Sequence, residues 1–203
     1  MAARRLVLAS TSRYRRELLE RLRLPFDVVA PGVDEAPREQ EAPAETALRL
    51  ALAKADAVAA DDGEAVVIGS DQVAELDGRG LGKPGDHGRA TAQLRAMRGR
   101  TVVFQTAVAV VCRATGFRGA ELTAVAVRFR DLSDAEIERY LRTETPYDCA
   151  GSAKIETLGI ALVERCESDD PTALIGLPLI RTCALLRRAG IDPLASPTAD
   201  PPP

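Results

Sequence analysis

An aspartate, Asp71, interrupts the otherwise apolar run VVIGSDQV directly after Gly69 and Ser70. A second acid, Glu35, stands in GVDEAP. Hard divalent cations such as Mg²⁺ take carboxylate oxygen together with phosphate and water. Glu35 and Asp71 are therefore candidate ligands of one Mg²⁺ or Mn²⁺, with one of them orienting or deprotonating an attacking water. An aspartate that simply caps or turns the end of a strand has the same local sequence. Near the N-terminus, LASTSRYRR places hydroxyls and arginines where a strand ends and a helix begins. Backbone N–H groups at such a point suit an anion, so Ser10, Ser12 and Arg15 are candidates to hold a polyphosphate. A serine before a helix also serves as a plain N-cap, and the segment lacks the Walker spacing of glycines and lysine.

Lysine usage adds a second signal. Of 27 basic residues only Lys54, Lys83 and Lys154 are lysine. A compact ammonium with three donors is suited to point-charge contact with phosphate, where arginine offers a planar fork. Lys83, in LGKP, follows Asp71 closely. Lys54 lies in ALAKA and Lys154 in GSAKIE. The single histidine, His87, excludes a histidine metal cluster and, with no G-x-S-x-G elbow, gives no support to a serine triad. It is expected to face solvent.

The elements that must position these groups follow from periodicity. Strands are expected at 5–9, 26–30, 66–76 and 160–165, and Asp77-Gly78 is a hairpin dipeptide. Helices are expected from about 13, over 44–60 and 86–98, from the capping box Ser133–Glu136 to about 142, and after Gly176 with Pro178 in its first turn. A long hairpin has arms at 101–113 and 121–130 and a turn around 114–119. The whole reads as one α/β domain over 1–192, followed by a disordered proline-rich tail over 193–203. A net charge of −3, a pI near 5.4 and 3% aromatic residues give no electrostatic or stacking basis for nucleic-acid binding. No apolar stretch approaches the length of a membrane span. The N-terminal apolar run is too short for a signal peptide, which predicts a cytoplasmic protein. The four cysteines form no CxxC pair and read as reduced.

In order along the chain, LASTSRYRRELLERL, FDVVAPGVDE, RLALAKA, VIGSDQV, GKP, AGSAKIETLG and GLPLI resemble the Maf family of nucleotide pyrophosphatases, from about Leu6 to Gly190. The resemblance implies a mixed, twisted central sheet with flanking helices and two lobes around a cleft, similar to the inosine-triphosphate pyrophosphatase architecture, and a homodimer. It implies hydrolysis of a nucleoside triphosphate between the α- and β-phosphates. Asp71 would be the catalytic acid/base, Glu35 would stand beside it at the metal, and Ser10, Arg15, Lys54 and Lys83 would hold the phosphates. At three specificity positions the chain has Tyr14, Gln72 and Glu156, the set of the branch that hydrolyses 7-methyl-GTP rather than dTTP and UTP. The methylated base is cationic, which suits an aromatic face and a carboxylate. Glu156 could also accept from guanine N1–H and the exocyclic amine. The chain departs from the pattern with Tyr14 for Trp, Arg13 for Pro and Ala153 for a bulkier aromatic. The alternatives within the resemblance are a dTTP, UTP or CTP pyrophosphatase and a nucleotide-binding regulator of septum formation.

Overall fold

The computed structural model describes residues 4–195. Seven strands form one mixed sheet: β1 (Leu6–Ala9), β2 (Asp27–Val29), β3 (Val66–Leu76), β4 (Arg79–Leu81), β5 (Thr101–Cys112), β6 (Phe117–Phe129) and β7 (Val163–Glu167). The order is β2-β1-β3-β5-β6-β7, with β4 hooked onto the far half of β3. β1 is parallel to both β2 and β3, and the remaining pairings are antiparallel. The helices are α1 (Arg13–Glu20), α2 (Pro43–Asp61), α3 (His87–Met97), α4 (Asp134–Glu144) and α5 (Leu179–Arg188).

The long antiparallel pair β3–β5 belongs to two lobes at once. In the first half of β3, side chains alternate between two cores. Val66 and Ile68 pack with Leu8, Leu18 and Leu185, while Val67 packs with Val7, Ala51 and Ala55 of α2. In the second half, Ala74 and Leu76 join Leu94, Phe104, Phe129 and Leu141 under α3 and α4. Asp71 lies where the cores change over, opposite Ala107 of β5.

α2 packs on the sheet through small residues four apart: Ala47, Ala51, Ala55 and Ala59, all fully buried. Gly69 completes the fit. A Cβ there would lie 2.2 Å from the Ala51 carbonyl oxygen and 2.7 Å from Ala55 N. The bare backbone of β3 thus lets the helix approach closely two residues before Asp71.

Three expectations are corrected. β6 begins at Phe117, because the hairpin turns tightly through a single 3-10 turn, Arg113–Thr115, with Gly116 at φ 67°. The last strand starts at Val163, since Leu158–Leu162 coils into a 3-10 turn that leaves Ile160 on the surface. Pro178 stands one residue before α5 instead of within it. Of the tail expected to be disordered, Asp192–Ala195 closes a turn through Ala195 N–H to Asp192 O, and residues from 196 onward lie outside those described. Among the described residues no helix is long and apolar enough to cross a membrane.

Candidate active site

A cleft of about 1090 Å³ opens between the lobes. Every sequence-nominated site residue lines it: Ser10, Tyr14, Arg15, Glu35, Lys54, Asp71, Gln72, Lys83 and Glu156. Lys154 is there as well, so all three lysines of the chain meet in one place.

The centre is a cation between two carboxylates. Lys54 Nζ lies 2.7 Å from Asp71 Oδ1 and 2.6 Å from Glu35 Oε1. Asp71 and Lys54 are buried, while the Glu35 side chain is half exposed. Lys54, expected at the phosphates, lies between the two acids. This geometry follows from the close packing of α2 at Gly69, which carries Lys54 to the carboxylate two residues further along β3. Asp71 Oδ2 has no hydrogen-bond partner among the described residues.

Glu35 rides on the loop 30–42. Arg49 of α2 fastens that loop by donating to both oxygens of Glu41, at 2.5 and 2.7 Å, and to Ala36 O. Arg49 and a network of hydrogen bonds hold the Glu41 carboxyl down at about 2. Burial pushes the Glu35 carboxyl up, but Lys54, Lys83 and Arg15 outweigh it and leave it below its ordinary value. A carboxylate depressed by folding contributes stability that is present above its unfolded pKa and is lost as pH falls through the folded one. Stability curves of wild type and Glu35→Gln should therefore run parallel above about pH 4.5 and converge below it. A gap that widened in acid would contradict this ion pair.

Ser10 and Ser12 shape the start of α1. Ser10 Oγ accepts from Ser12 N–H at 3.1 Å, and Ser12 Oγ caps Arg15 N–H at 3.4 Å. The capping contacts are thus present, and both serines line the cleft. Arg15 donates from Nε to Gly176 O at 2.9 Å. Burial lowers its pKa despite the opposing charges of Asp71 and Glu35.

Ser70 and Gln72 alternate with Asp71 and lie on the opposite face of β3. Ser70 Oγ contacts Ala107 O and Gly176 O. Gln72 Nε2 donates among Thr106 Oγ1, Ala173 O and Leu174 O, at 2.9 to 3.1 Å, and Thr106 Oγ1 donates to Ala173 O. These polar residues pin the segment 173–176 across the cleft floor. Gln72, nominated to read the base, therefore spends its amide donors on backbone and offers a ligand only its carbonyl. Nothing in the sequence announced Thr106, because its role depends on the β3–β5 register.

Tyr14, Asp148, Cys149, Ala153, Lys154 and Glu156 also line the cleft. The Tyr14 ring already carries a cation, the Arg13 guanidinium, 4.7 Å from its centroid. Glu156 is open to solvent, yet enough protein surrounds it to push its carboxyl above the ordinary value, against the pull of Lys154. Burial drives the Cys149 thiol up to about 12, so it is no nucleophile at neutral pH. His87 departs from the solvent-facing expectation. It is half buried and bridges Tyr147 Oη at 3.0 Å and Glu138 Oε2 at 2.8 Å, away from the carboxylates.

A mixed α/β sheet thus carries a single cleft in which Arg15, Lys54 and Lys83 meet Glu35 and Asp71, and which Tyr14, Lys154 and Glu156 also line. The chain belongs to the Maf-like protein family, whose model matches residues 5–189. It is 65% identical over 193 residues to the 7-methyl-GTP pyrophosphatase of Albidiferax ferrireducens, spanning 95% of this chain and 97% of that one. The 7-methyl-GTP pyrophosphatases of Polaromonas sp. and Burkholderia pseudomallei are 66% and 59% identical. They span 93% and 95% of this chain, and 86% and 91% of their own. The solved Staphylococcus aureus Ham1 protein overlaps 63% of this chain and 73% of its own at a TM-score of 0.45, with 16% identity.

Proposed function

We propose that this protein is a nucleotide pyrophosphatase that hydrolyses 7-methyl-GTP to 7-methyl-GMP and diphosphate. The observation that carries this reading is the convergence of Glu35, Lys54 and Asp71 in a cleft that Tyr14 and Glu156 also line. The relatives named above share that activity in name over nearly their whole lengths.

In this reading the triphosphate lies against the N-terminus of α1, Arg15 and Lys83, which offer oriented N–H groups and positive charge. Asp71 accepts the proton of the attacking water at Oδ2, while Lys54 holds Oδ1 and orients the carboxylate. Preorganised cations stabilise the charge that develops on the phosphoryl oxygens, the main source of catalysis in such transfers. Among the described residues no cluster of three acidic, histidine or cysteine side chains forms a ready metal cage. The converging Glu35 and Asp71 still suit a hard cation whose remaining ligands are phosphate and water. They would hold Mg²⁺ or Mn²⁺, which would neutralise phosphate charge. A cytoplasmic homodimer completes the proposal on the family resemblance alone.

A panel of triphosphates with Mg²⁺ or Mn²⁺, and with chelator, tests the reading through diphosphate release. The expected first choice is 7-methyl-GTP. Preference for dTTP, UTP or CTP would transfer the chain to the other branch, and binding without metal-dependent release would indicate a regulator. In Glu156→Gln, a charged acceptor becomes a neutral amide. We expect kcat/KM for 7-methyl-GTP to fall about 10- to 100-fold, mainly through KM, while pyrimidine triphosphates gain ground.

A further inference from the structure

The hydrolysis described above uses Lys54 and Lys83 but has no task for Lys154. Its side chain is 14% exposed, and its ammonium makes two long contacts, 3.5 Å to Asp148 Oδ1 and 3.4 Å to Glu144 O. The Glu144 carbonyl belongs to the last turn of α4, where oxygens lack partners within the helix and favour a cation. An ammonium has three donors, and both contacts sit at the outer limit of hydrogen-bond distance. Lys154 is thus kept charged and near the cleft, with donor capacity to spare.

Its backbone is held much more firmly. Lys154 N–H donates to Tyr140 Oη at 2.9 Å, and Gly159 N–H donates to Lys154 O at 3.0 Å. A Cβ at Gly159 would lie 2.3 Å from that same carbonyl oxygen, so only glycine closes this turn. The turn fixes the roots of Lys154 and Glu156, two residues apart, and both line the cleft together with Tyr14.

We propose that Lys154 is a specificity-determining residue that donates a hydrogen bond to O6 of a guanine-type base while Glu156 accepts from its N1–H and exocyclic amine. This rests on the 7-methyl-GTP reading and extends it to a residue that reading leaves idle. The edge of guanine runs acceptor, donor, donor, and an ammonium beside a carboxylate supplies the complement. Uracil and thymine present acceptor, donor, acceptor, which sets a carbonyl against the carboxylate. Cytosine runs donor, acceptor, acceptor, and opposes the pair throughout. A base edge that leaves buried polar groups unpaired is rejected far more strongly than one that merely fits poorly.

The test compares 7-methyl-GTP with its 6-thio analogue, which keeps N1–H and the amine but replaces O6 by a weakly accepting sulfur. Steady-state kinetics would be measured for wild type, Lys154→Met, Lys154→Gln and Lys154→Arg, with melting temperatures to confirm folding. Wild type should favour the oxygen substrate by about 10-fold or more. Lys154→Met should raise KM for 7-methyl-GTP about 10- to 100-fold, leave kcat nearly unchanged and bring the oxygen-to-sulfur ratio close to one. Lys154→Gln should reduce the ratio similarly and serves if the methionine variant fails to fold, while Lys154→Arg should restore part of it. A folded Met or Gln variant that keeps the wild-type ratio overturns the role of Lys154 and leaves the pyrophosphatase reading intact. Failure of wild type to turn over 7-methyl-GTP removes that reading itself.

Discussion

Asp71→Asn should abolish useful turnover, lowering kcat by about 10²- to 10⁴-fold, while the protein remains folded. The asparagine is isosteric, and its carbonyl can still accept from Lys54, which also keeps its 2.6 Å contact with Glu35. The stability loss should therefore be about 1–2 kcal/mol, the scale of a weakened buried hydrogen bond. For a chain of this length that is a drop of about 2–8 °C in melting temperature. What the variant lacks is a group able to take a proton. Nucleotide should still bind, since Arg15, Lys83 and the α1 terminus are untouched. Diphosphate release and thermal unfolding measured on the same preparation decide the matter, and turnover within tenfold of wild type would remove Asp71 from the chemistry.

Gly69→Ala should be strongly damaging for a change of a single methyl. The added carbon would meet the Ala51 carbonyl oxygen at 2.2 Å and Ala55 N at 2.7 Å, both helix backbone atoms and not the ends of flexible side chains. Overpacking of this kind costs about 1–3 kcal/mol, and the rigidity of the obstacle puts this site at the upper end. α2 must lift from β3, and Lys54 goes with it. A displacement near 1 Å in a catalytic arrangement can lower the rate about 10²-fold. Denaturant unfolding should show the lost stability and single-turnover kinetics the lost rate, even under conditions where the variant is fully folded. A variant of wild-type stability and activity would show that the helix approach does not position the site.

Much of this was readable from residue types alone. Val66–Leu76 was bounded correctly because its apolar run ends at a turn dipeptide. Asp71 and Glu35 stood out as acids in unlikely company, and the scarcity of lysine pointed to Lys54, Lys83 and Lys154, which do share the cleft. The lobe-to-lobe span of β3 and β5 was not readable, since it depends on strand register. For the same reason the sequence could not show that Ser70, Gln72 and Thr106 face the segment 173–176. The direct pairing of Lys54 with both acids also escaped, because it depends on how closely a helix sits on a strand. His87 escaped for a related reason: its partners Glu138 and Tyr147 lie 51 and 60 residues away in sequence.

The unbroken course of β3 and β5 through both lobes has a consequence for how such a protein can diversify. The groups assigned to bond cleavage are anchored to this shared ribbon and to α2, and a change there disturbs two cores at once. The groups assigned to the base sit on the start of α1 and on the turn 154–159, outside the ribbon. Replacements at the rim can therefore accumulate without dismantling the floor. One scaffold can retain a single reaction while the positions that meet the nucleotide, Tyr14 and Ala153 among them, are free to change.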